Sequence, residues 1–315
     1  MPIPEGREAV YRRGAQARQR AASRDDLAAR SASPIGRSRN RRPTLINMLK
    51  VNVEKPIASV ILDRPGVHNA FNDELVKLLS DTFTELAARD DVRVIVLGGN
   101  GKSFCAGADL NWMKRMVHYT REQNLEDARA VGRMYLSIAK CRKPVIARVH
   151  GAALGGGAGL VAACDIAVAV ESVQFGFTEV KLGIIPAIIA PFVIARVGPG
   201  RAREFFITGE RFLAPVALSI GLVQHVAAHE LALDGLIDSK ISQILTSAPN
   251  AIAAAKELIF GVAARTLESS LEFAVDAIAR ARTGEEGQAG MQAFLERQKP
   301  PWIEKNEKNE RIDTK

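Results

Sequence analysis

The feature that most constrains the fold is a pair of glycine-rich segments, each lying between a strand pattern and a helix pattern. The first segment, residues 103–110, follows a short β-branched run at residues 92–97. The second, residues 150–159, follows a strand pattern at residues 144–149 and contains three consecutive glycines. Because consecutive glycines cost backbone entropy on folding, a purely structural turn is a poor explanation for the second segment. Both segments predict backbone N–H groups that point at a ligand.

The rest of the chain alternates strand and helix patterns up to about residue 249. Strand patterns occupy residues 49–53, 57–62 and 166–170, and helix patterns occupy residues 72–88, 124–139 and 160–164. This alternation predicts an α/β fold with crossover connections. Beyond residue 249 only amphipathic helices are predicted, at residues 251–264, 267–282 and 287–297. We therefore divide the chain into a leader (1–47), a core (48–248) and a C-terminal helical region (249–315).

The leader carries almost all of the net charge. Residues 1–47 contain 11 arginines, no lysine and 4 acidic residues, a balance of +7 within a total of +8. With no apolar period, this leader is predicted to be disordered. It is either an organelle transit peptide or sequence translated upstream of a natural start at Met48, and we favour the second reading. The first would place the protein in the mitochondrial matrix, and the second in a bacterial cytoplasm.

The three cysteines and the hydropathy give only negative indications. Cys105, Cys141 and Cys164 form no CxxC pair and have no histidine at metal-ligand spacing, so no metal site is predicted and buried thiols are expected. No stretch of 18 or more apolar residues occurs, which argues against a membrane span. The near-neutral core gives little support to nucleic-acid binding.

A single carboxylate is the candidate acid or base. Glu179 lies in an apolar, glycine-containing stretch at residues 175–183, where burial would raise its pKa toward neutrality. A lone glutamate is more often a surface residue or a helix cap. Two glycine-rich segments, however, favour a two-donor oxyanion hole for a thioester enolate, and such a site needs a nearby proton carrier.

These segments resemble the signatures of the crotonase, or enoyl-CoA hydratase/isomerase, superfamily over about Met48 to Trp302. The elements occur in the family's order: 64–65, 69–70, 104–110, 151–159, 163–165, 175–186 and 287–302. The resemblance implies a crotonase-like spiral of ββα units with a C-terminal helical trimerisation region. It further implies an acyl-CoA substrate, no cofactor apart from that coenzyme A, and a homotrimer or a dimer of trimers.

The resemblance also assigns roles to residues. Ala108 and Gly156 match the oxyanion-hole donors, Glu179 matches the second catalytic glutamate, and Ala106 matches the wall beside the coenzyme A adenine. Trp112 is expected either in the acyl pocket or in the core. The remaining residues predicted to contact the substrate are Asn69, Ala70, Gly107, Asp109, Leu110 and Gly155.

One departure bears on the mechanism. The first catalytic glutamate of typical hydratases falls at Gly159, and glycine carries no proton-transferring group. Residues 185–191 also replace the glycine-rich stretch that commonly follows the proline. Both differences resemble a bacterial methylglutaconyl-CoA hydratase-like subgroup that serves leucine or acyclic terpene breakdown.

Three functions follow as hypotheses. The first is hydration of a branched 2-enoyl-CoA such as 3-methylglutaconyl-CoA, whose distal carboxylate would meet Lys114, Arg115 or Lys181. The second is Δ3-Δ2 enoyl-CoA isomerisation with Glu179 as the single base. The third is an RNA-binding or scaffolding homologue, in which case removal of residues 1–47 is expected to abolish RNA affinity and to leave enzyme activity intact.

Overall fold

A seven-stranded sheet forms the centre of the protein. The computed structural model describes residues 44–46 and 48–303. The strands of this sheet, in spatial order, are β1 (Thr44–Ile46), β2 (Leu49–Glu54), β3 (Ile57–Leu62), β4 (Val94–Gly99), β5 (Val145–Val149), β7 (Ile166–Val170) and β10 (His225–Ala227). The pairs from β3 to β10 are parallel, whereas β1, β2 and β3 pair antiparallel. A mostly parallel sheet with helical crossovers confirms the predicted α/β class.

A smaller sheet carries the second glycine-rich segment. Its three strands are β6 (Ala152–Leu154), β8 (Gln174–Gly176) and β9 (Arg211–Leu213), with β8 in the middle. The β6–β8 pair is parallel and the β8–β9 pair is antiparallel. This sheet brings the second glycine-rich segment next to the chain that leads to Glu179.

In residues 48–303, ten α-helices surround the sheets. They are α1 (Asp73–Ala88), α2 (Leu110–Met116), α3 (Arg121–Ala139), α4 (Gly156–Ala163), α5 (Ala190–Thr208), α6 (Ala214–Ser219), α7 (Glu230–Leu245), α8 (Pro249–Ala263), α9 (Leu267–Thr283) and α10 (Glu285–Leu295). Helix α5 is kinked at Gly198, which has a φ of 75° and precedes Pro199. None of the described helices combines the length and the apolar character that crossing a membrane requires.

The core follows the periodicities of the sequence. In β3 the alternate residues Ala58, Val60 and Leu62 are fully buried. Helix α1 begins after Asn72, whose side chain accepts a hydrogen bond from Leu75 N–H, and it buries the apolar side of its surface. Helix α3 begins with a capping box formed by Thr120 and Gln123. The two helices pack against each other.

The end of the leader contributes a strand. Thr44–Ile46 form β1 at the edge of the sheet, and the disorder of the leader in isolation stays a prediction. A three-residue strand is too short to give a periodic signal. The rest of the leader prediction lies outside the described residues. The helix predicted at residues 160–164 begins earlier, at Gly156, so the second glycine-rich segment contains both β6 and the first turn of α4. The pairing of β6 with β8 determines this local structure, which the local sequence does not.

Candidate active site

The two glycine-rich segments lie side by side and are held together by backbone hydrogen bonds. Cys105 N–H donates to the Ala152 carbonyl over 3.0 Å, and Leu154 N–H donates to the Cys105 carbonyl over 3.0 Å. Cys105 and Ala153 therefore form an isolated parallel bridge. Burial raises the pKa of the Cys105 thiol to about 12, which makes this residue a structural thiol.

The first segment leaves Ala108 N–H free. Phe71 N–H donates to the Gly107 carbonyl over 2.9 Å, and Asp109 N–H donates to the Phe71 carbonyl over 3.0 Å. Because these neighbours of Ala108 pair with Phe71, the Ala108 N–H itself faces the other way. Within residues 48–303, no acceptor is hydrogen bonded to it.

Gly156 supplies a second free N–H at the start of α4. It is the first residue of the helix, where a backbone N–H has no intrahelical acceptor, and it has none elsewhere in the described chain. A side chain is excluded here, because a Cβ atom on Gly156 would lie 2.3 Å from Phe71 Cζ. The aromatic ring thus explains why this position is glycine.

Glu179 follows β8 of the three-stranded sheet and lies beside Gly155, the residue before the free Gly156 N–H. It begins a 3-10 turn, Glu179–Leu182, and its carboxylate Oε1 lies 3.1 Å from the position of a Cβ atom on Gly155. Its Oε2 is buried and has no hydrogen-bond partner among the described residues. Burial raises the pKa of this carboxyl above its usual value, and its own backbone N–H opposes that rise. A buried carboxyl with an unused oxygen is suited to carry a proton.

The space beside Gly159 is filled. A Cβ atom on Gly159 would lie 2.3 Å from Ile189 Cγ2 and 3.0 Å from the Tyr135 hydroxyl oxygen. The two departures noted in the sequence are thus one structural feature, since Ile189 belongs to the unusual stretch 185–191 and occupies the room that Gly159 leaves. A glutamate at position 159 would require Ile189 to move.

Tyr135 is a site residue that the sequence analysis missed. It is fully buried in α3, and its hydroxyl donates to the Gly156 carbonyl over 2.8 Å. Its ring packs on Phe192, with centroids 5.4 Å apart. Burial raises the pKa of this phenol well above its usual value. The only sequence signal is a tyrosine on the buried face of a helix, which is more often part of the core.

These groups line one cavity of about 780 Å³. Its wall combines Ala108, Gly156, Glu179 and Tyr135 with apolar side chains and one further carboxyl, Asp127. Trp112 also lines the cavity, and its indole N–H donates to Asp127 Oδ1 over 3.1 Å. Trp112 is almost fully buried, so it belongs to the core as well as to the cavity wall, and its contact with an acyl group stays a prediction. Burial raises the pKa of Asp127.

Two of the predicted binding residues use their side chains inside the fold. Asn69 accepts a hydrogen bond from Arg64 N–H and donates to the carbonyls of Asn100 and Ser103. Asp109 caps α2 and pairs with Arg64 over 2.8 Å. Both side chains therefore hold the first glycine-rich segment in place. A contact of either residue with a ligand stays a prediction.

The other predicted binding residues lie around the cavity rather than in its wall. Leu110 is exposed, whereas Ala70 is buried. Ala106 N–H donates to the His68 carbonyl. Gly107 accepts from Phe71 N–H, and Gly155 N–H donates to the Gly176 carbonyl over 2.8 Å. Their roles in binding coenzyme A also stay predictions.

None of the cations proposed for a distal carboxylate lines the cavity. Arg115 pairs with Asp73 over 2.7 Å at the surface, and Lys114 and Lys181 are exposed. In the described part of the chain, no group of three histidine, cysteine or acidic residues is arranged to hold a metal ion. A larger recess of about 1000 Å³ lies among α8, α9 and α10. It contains neither the free N–H groups nor Glu179, so we assign the site to the smaller cavity.

The α/β fold and the cavity, with its two free backbone N–H groups and its buried carboxyl, indicate an enzyme. The family model for enoyl-CoA hydratase/isomerase matches residues 52–305. The chain belongs to the enoyl-CoA hydratase/isomerase family. The predicted crotonase resemblance and the coarse activity, that of an enoyl-CoA hydratase/isomerase, are thereby confirmed.

The matches to individual relatives extend over most of the length of each relative. The short-chain-enoyl-CoA hydratase of Clostridium acetobutylicum is 32% identical over 260 residues, which are 81% of this chain and 97% of the relative. The peroxisomal Delta(3,5)-Delta(2,4)-dienoyl-CoA isomerase of Arabidopsis thaliana is 30% identical, covering 74% of this chain and 86% of the relative. The crystal structure of an enoyl-CoA hydratase from Shewanella pealeana is 36% identical with a TM-score of 0.78, covering 81% of this chain and 96% of that one. The predicted crotonase-like fold is confirmed.

Proposed function

We propose that the protein hydrates a 2-enoyl-CoA thioester whose acyl group is branched and uncharged, with Glu179 as the acid–base group. The observation that carries this proposal is the meeting, in one cavity, of a buried carboxyl with an unpartnered oxygen and two free backbone N–H groups. Such donors stabilise the oxygen of a thioester enolate, and one of them is typically worth about 3 kcal/mol.

The reaction is an addition of water across C2 and C3. The thioester carbonyl oxygen accepts hydrogen bonds from Ala108 N–H and Gly156 N–H. Glu179 takes a proton from water as the water oxygen bonds to C3, and the C2=C3 electron pair moves toward the carbonyl to form the enolate. Glu179 then delivers the proton to C2, which restores its carboxylate. One carboxyl is sufficient because the proton that it takes up is the proton that it returns.

Isomerisation is the second candidate, and Gly159 favours it. Ile189 fills the space where a second glutamate would stand, and the other described carboxyl of the cavity wall, Asp127, accepts a hydrogen bond from the Trp112 indole N–H. A Δ3-Δ2 isomerase needs only one base, which moves a proton between C4 and C2. Removal of the C2 proton forms a dienolate, whose oxygen accepts hydrogen bonds from the same two donors, and the proton returns at C4.

The cavity wall supports an uncharged acyl group rather than 3-methylglutaconyl. Among the described residues, the wall contains two carboxyls, Glu179 and Asp127, and no lysine or arginine. A distal carboxylate would enter an apolar space beside Asp127 with no cation to compensate it, which is unfavourable. We therefore rank 3-methylcrotonyl-CoA above 3-methylglutaconyl-CoA as a branched substrate.

Product analysis by mass spectrometry tests the proposal. The protein is incubated with crotonyl-CoA, 3-methylcrotonyl-CoA, 3-methylglutaconyl-CoA and a 3-enoyl-CoA, beside Glu179→Gln and the exposed control Glu171→Gln. A gain of one water that persists in the control and vanishes in Glu179→Gln supports the hydratase. A product of unchanged mass but altered retention supports the isomerase. Conversion of none of the four excludes both proposals.

A further inference from the structure

The cavity that holds Glu179 has an exposed apolar edge as well as a buried interior. Its interior wall includes Phe71, Trp112 and Tyr135, which are all buried. Four other apolar residues of the same wall are more than half exposed, and we call them the apolar rim: Val117, Leu182, Ile184 and Ile185. Single exposed apolar residues are normal on a protein surface, whereas several around one cavity are typical of a surface that binds an apolar ligand.

The apolar rim begins directly after Glu179. Glu179 and Leu182 are the first and last residues of one 3-10 turn, and side chains three residues apart in such a turn lie on the same side of it. Ile184 N–H donates to the Glu179 carbonyl over 3.3 Å, and Ala187 N–H donates to the Ile185 carbonyl over 2.8 Å. These backbone hydrogen bonds hold this part of the rim next to the candidate acid–base group.

Helix α2 supplies the rest of the rim. Val117 directly follows this helix, and Met113 and Met116 on the helix line the same cavity and are half-buried. Methionine side chains are flexible and adapt to ligands of different shape. No lysine or arginine of residues 48–303 lines the cavity. The wall therefore offers contacts to a hydrocarbon chain but no ion pair to a charged one.

A short acyl group cannot use this surface fully. An extended chain advances about 3.5 Å for every three bonds, so a crotonyl group reaches about 3.5 Å beyond its thioester carbon and a twelve-carbon group roughly 13 Å. A cavity of about 780 Å³ is of the size that holds a drug-sized ligand, far more than four carbons. With its thioester oxygen at Ala108 N–H and Gly156 N–H, only the longer group extends well away from these donors.

We infer that the apolar rim binds the tail of the acyl group, so that the protein prefers medium- or long-chain 2-enoyl-CoA thioesters to crotonyl-CoA. The methylene groups of the tail leave water for the rim, and each one that is fully buried strengthens binding roughly fourfold. Because the rim is open to solvent on one side, we expect about twofold for each methylene. This inference rests on the proposed function for the chemistry of the thioester, and it adds the length of the acyl group.

A series of acyl chains on matched variants tests the inference. We expect kcat/KM of the wild type to rise at least about tenfold from crotonyl-CoA through 2-octenoyl-CoA to 2-dodecenoyl-CoA. Leu182→Gln combined with Ile185→Gln puts polar atoms on the rim without adding charge beside Glu179. This variant should lower the ratio of the dodecenoyl to the crotonyl value at least about tenfold.

The control is Ile207→Gln combined with Leu231→Gln. Both residues are 71% exposed, as Ile185 is, and both lie outside the cavity wall. This variant should keep the wild-type ratio. Should the rim variant fail to fold, Val117→Gln is measured in its place, since Val117 reaches the rim from another element.

Two results would overturn the inference. One is a wild-type kcat/KM that stays level or falls as the chain lengthens. The other is a rim variant that keeps the wild-type ratio. If that variant also changes the mass of the protein in light scattering, the rim is instead a contact between copies of the chain.

Binding measured by calorimetry separates this inference from the proposed reaction. Saturated dodecanoyl-CoA and butyryl-CoA have no double bond to hydrate, so their affinities depend only on the site. A protein that hydrates nothing, yet binds dodecanoyl-CoA at least about tenfold more tightly and loses this preference in the rim variant, would refute the hydratase and support the rim. Equal affinities for the two thioesters would refute the rim whichever reaction is catalysed.

Discussion

At the scale of single residues, Glu179 combines burial with an oxygen that has no partner. Burial raises its pKa, so the carboxyl stays protonated to a higher pH than an exposed glutamate. Since the proposed reaction needs the ionised form to accept a proton from water, kcat/KM should be low in acid and should rise as the pH passes this raised pKa. Glu179→Gln should lower the rate at least 100-fold and remove the rise. A pH–rate profile of both proteins measures this.

The ionised Glu179 carboxylate should also lower the free energy of unfolding. Below the pKa of the unfolded state the carboxyl is protonated in both states and carries no penalty. As the pH rises through the raised folded-state pKa, the folded protein must bury a charge, and stability is lost. Glu179→Gln is therefore expected to melt no lower than the wild type at neutral pH, although it is inactive. A melting temperature clearly below that of the wild type would contradict this account.

Gly159 offers a steric test of the filled site. In Gly159→Ala the new methyl group meets Ile189 Cγ2 at 2.3 Å, so the variant should lose about 1–3 kcal/mol of unfolding free energy despite the better helix propensity of alanine. Gly132→Ala is the matched control, because Gly132 also lies in a helix and has open space around it. That change should add about 0.5–1 kcal/mol.

A double-mutant cycle identifies the partner in this clash. Adding Ile189→Ala to Gly159→Ala should cost less than the sum of the two single changes, because the truncated side chain makes room for the methyl group. Urea denaturation gives the three free energies. Strict additivity would mean that Ile189 is not what keeps position 159 a glycine.

At the scale of elements, sequence periodicity predicted those strands and helices whose bounds depend on local sequence. Strands β3 and β7 occupy the residues that their patterns indicated, and α1 begins at Asp73, one residue after the start of the helix pattern at residues 72–88. The start of α4 inside a glycine run was not predictable from periodicity. It depends on Phe71 and Cys105, which pack against glycines far along the chain.

The candidate site was predictable in outline from the residues, which indicated Glu179 and the two glycine-rich segments. The resemblance added the individual donors Ala108 and Gly156, and the structure brings all three residues to one cavity. Tyr135 and Ile189 were missed as site residues, because each lies in an ordinary apolar pattern. Their meeting at Gly159 is a product of the tertiary fold, since 54 positions separate them in the chain.

One ion pair connects the C-terminal helices to the core. Lys256 in α8 pairs with Asp165 over 2.6 Å, and their side chains are only 11% and 27% exposed. Asp165 also accepts from Val145 N–H, and Lys256 donates to the Lys143 carbonyl. This pair therefore ties α8 to the edges of β5 and β7.

Lys256→Met should be strongly destabilising. It leaves the Asp165 carboxylate partly buried without its cation, a loss of about 3 kcal/mol. Lys77→Met is the control, because the Lys77–Asp81 pair is exposed and its removal should change stability by less than about 1 kcal/mol. Adding Asp165→Asn to Lys256→Met should recover part of the loss. Equal effects of the two lysine substitutions in urea denaturation would show that the core pair has no special role.

At the scale of the whole molecule, α9 presents an apolar stripe that its own chain leaves exposed. Leu267, Leu271, Val275 and Ile278 recur at helical spacing, and each is between 48% and 82% exposed. Exposed apolar surface of this extent is typical of a protein interface. The predicted homotrimer or dimer of trimers would cover it, and we propose α9 as part of the contact between copies.

Charge placed in the stripe should prevent assembly. The wild-type protein is expected to have a mass in light scattering that is a multiple of 34.1 kDa, by three or six. Leu271→Glu combined with Val275→Glu should shift it to the monomer, because two buried carboxylates would face apolar side chains of the partner. Glu268→Gln with Glu272→Gln, on the same helix but outside the stripe, should leave the mass unchanged. A wild-type monomer would contradict the proposed assembly. A charged variant that still assembles would instead place the contact on a different surface.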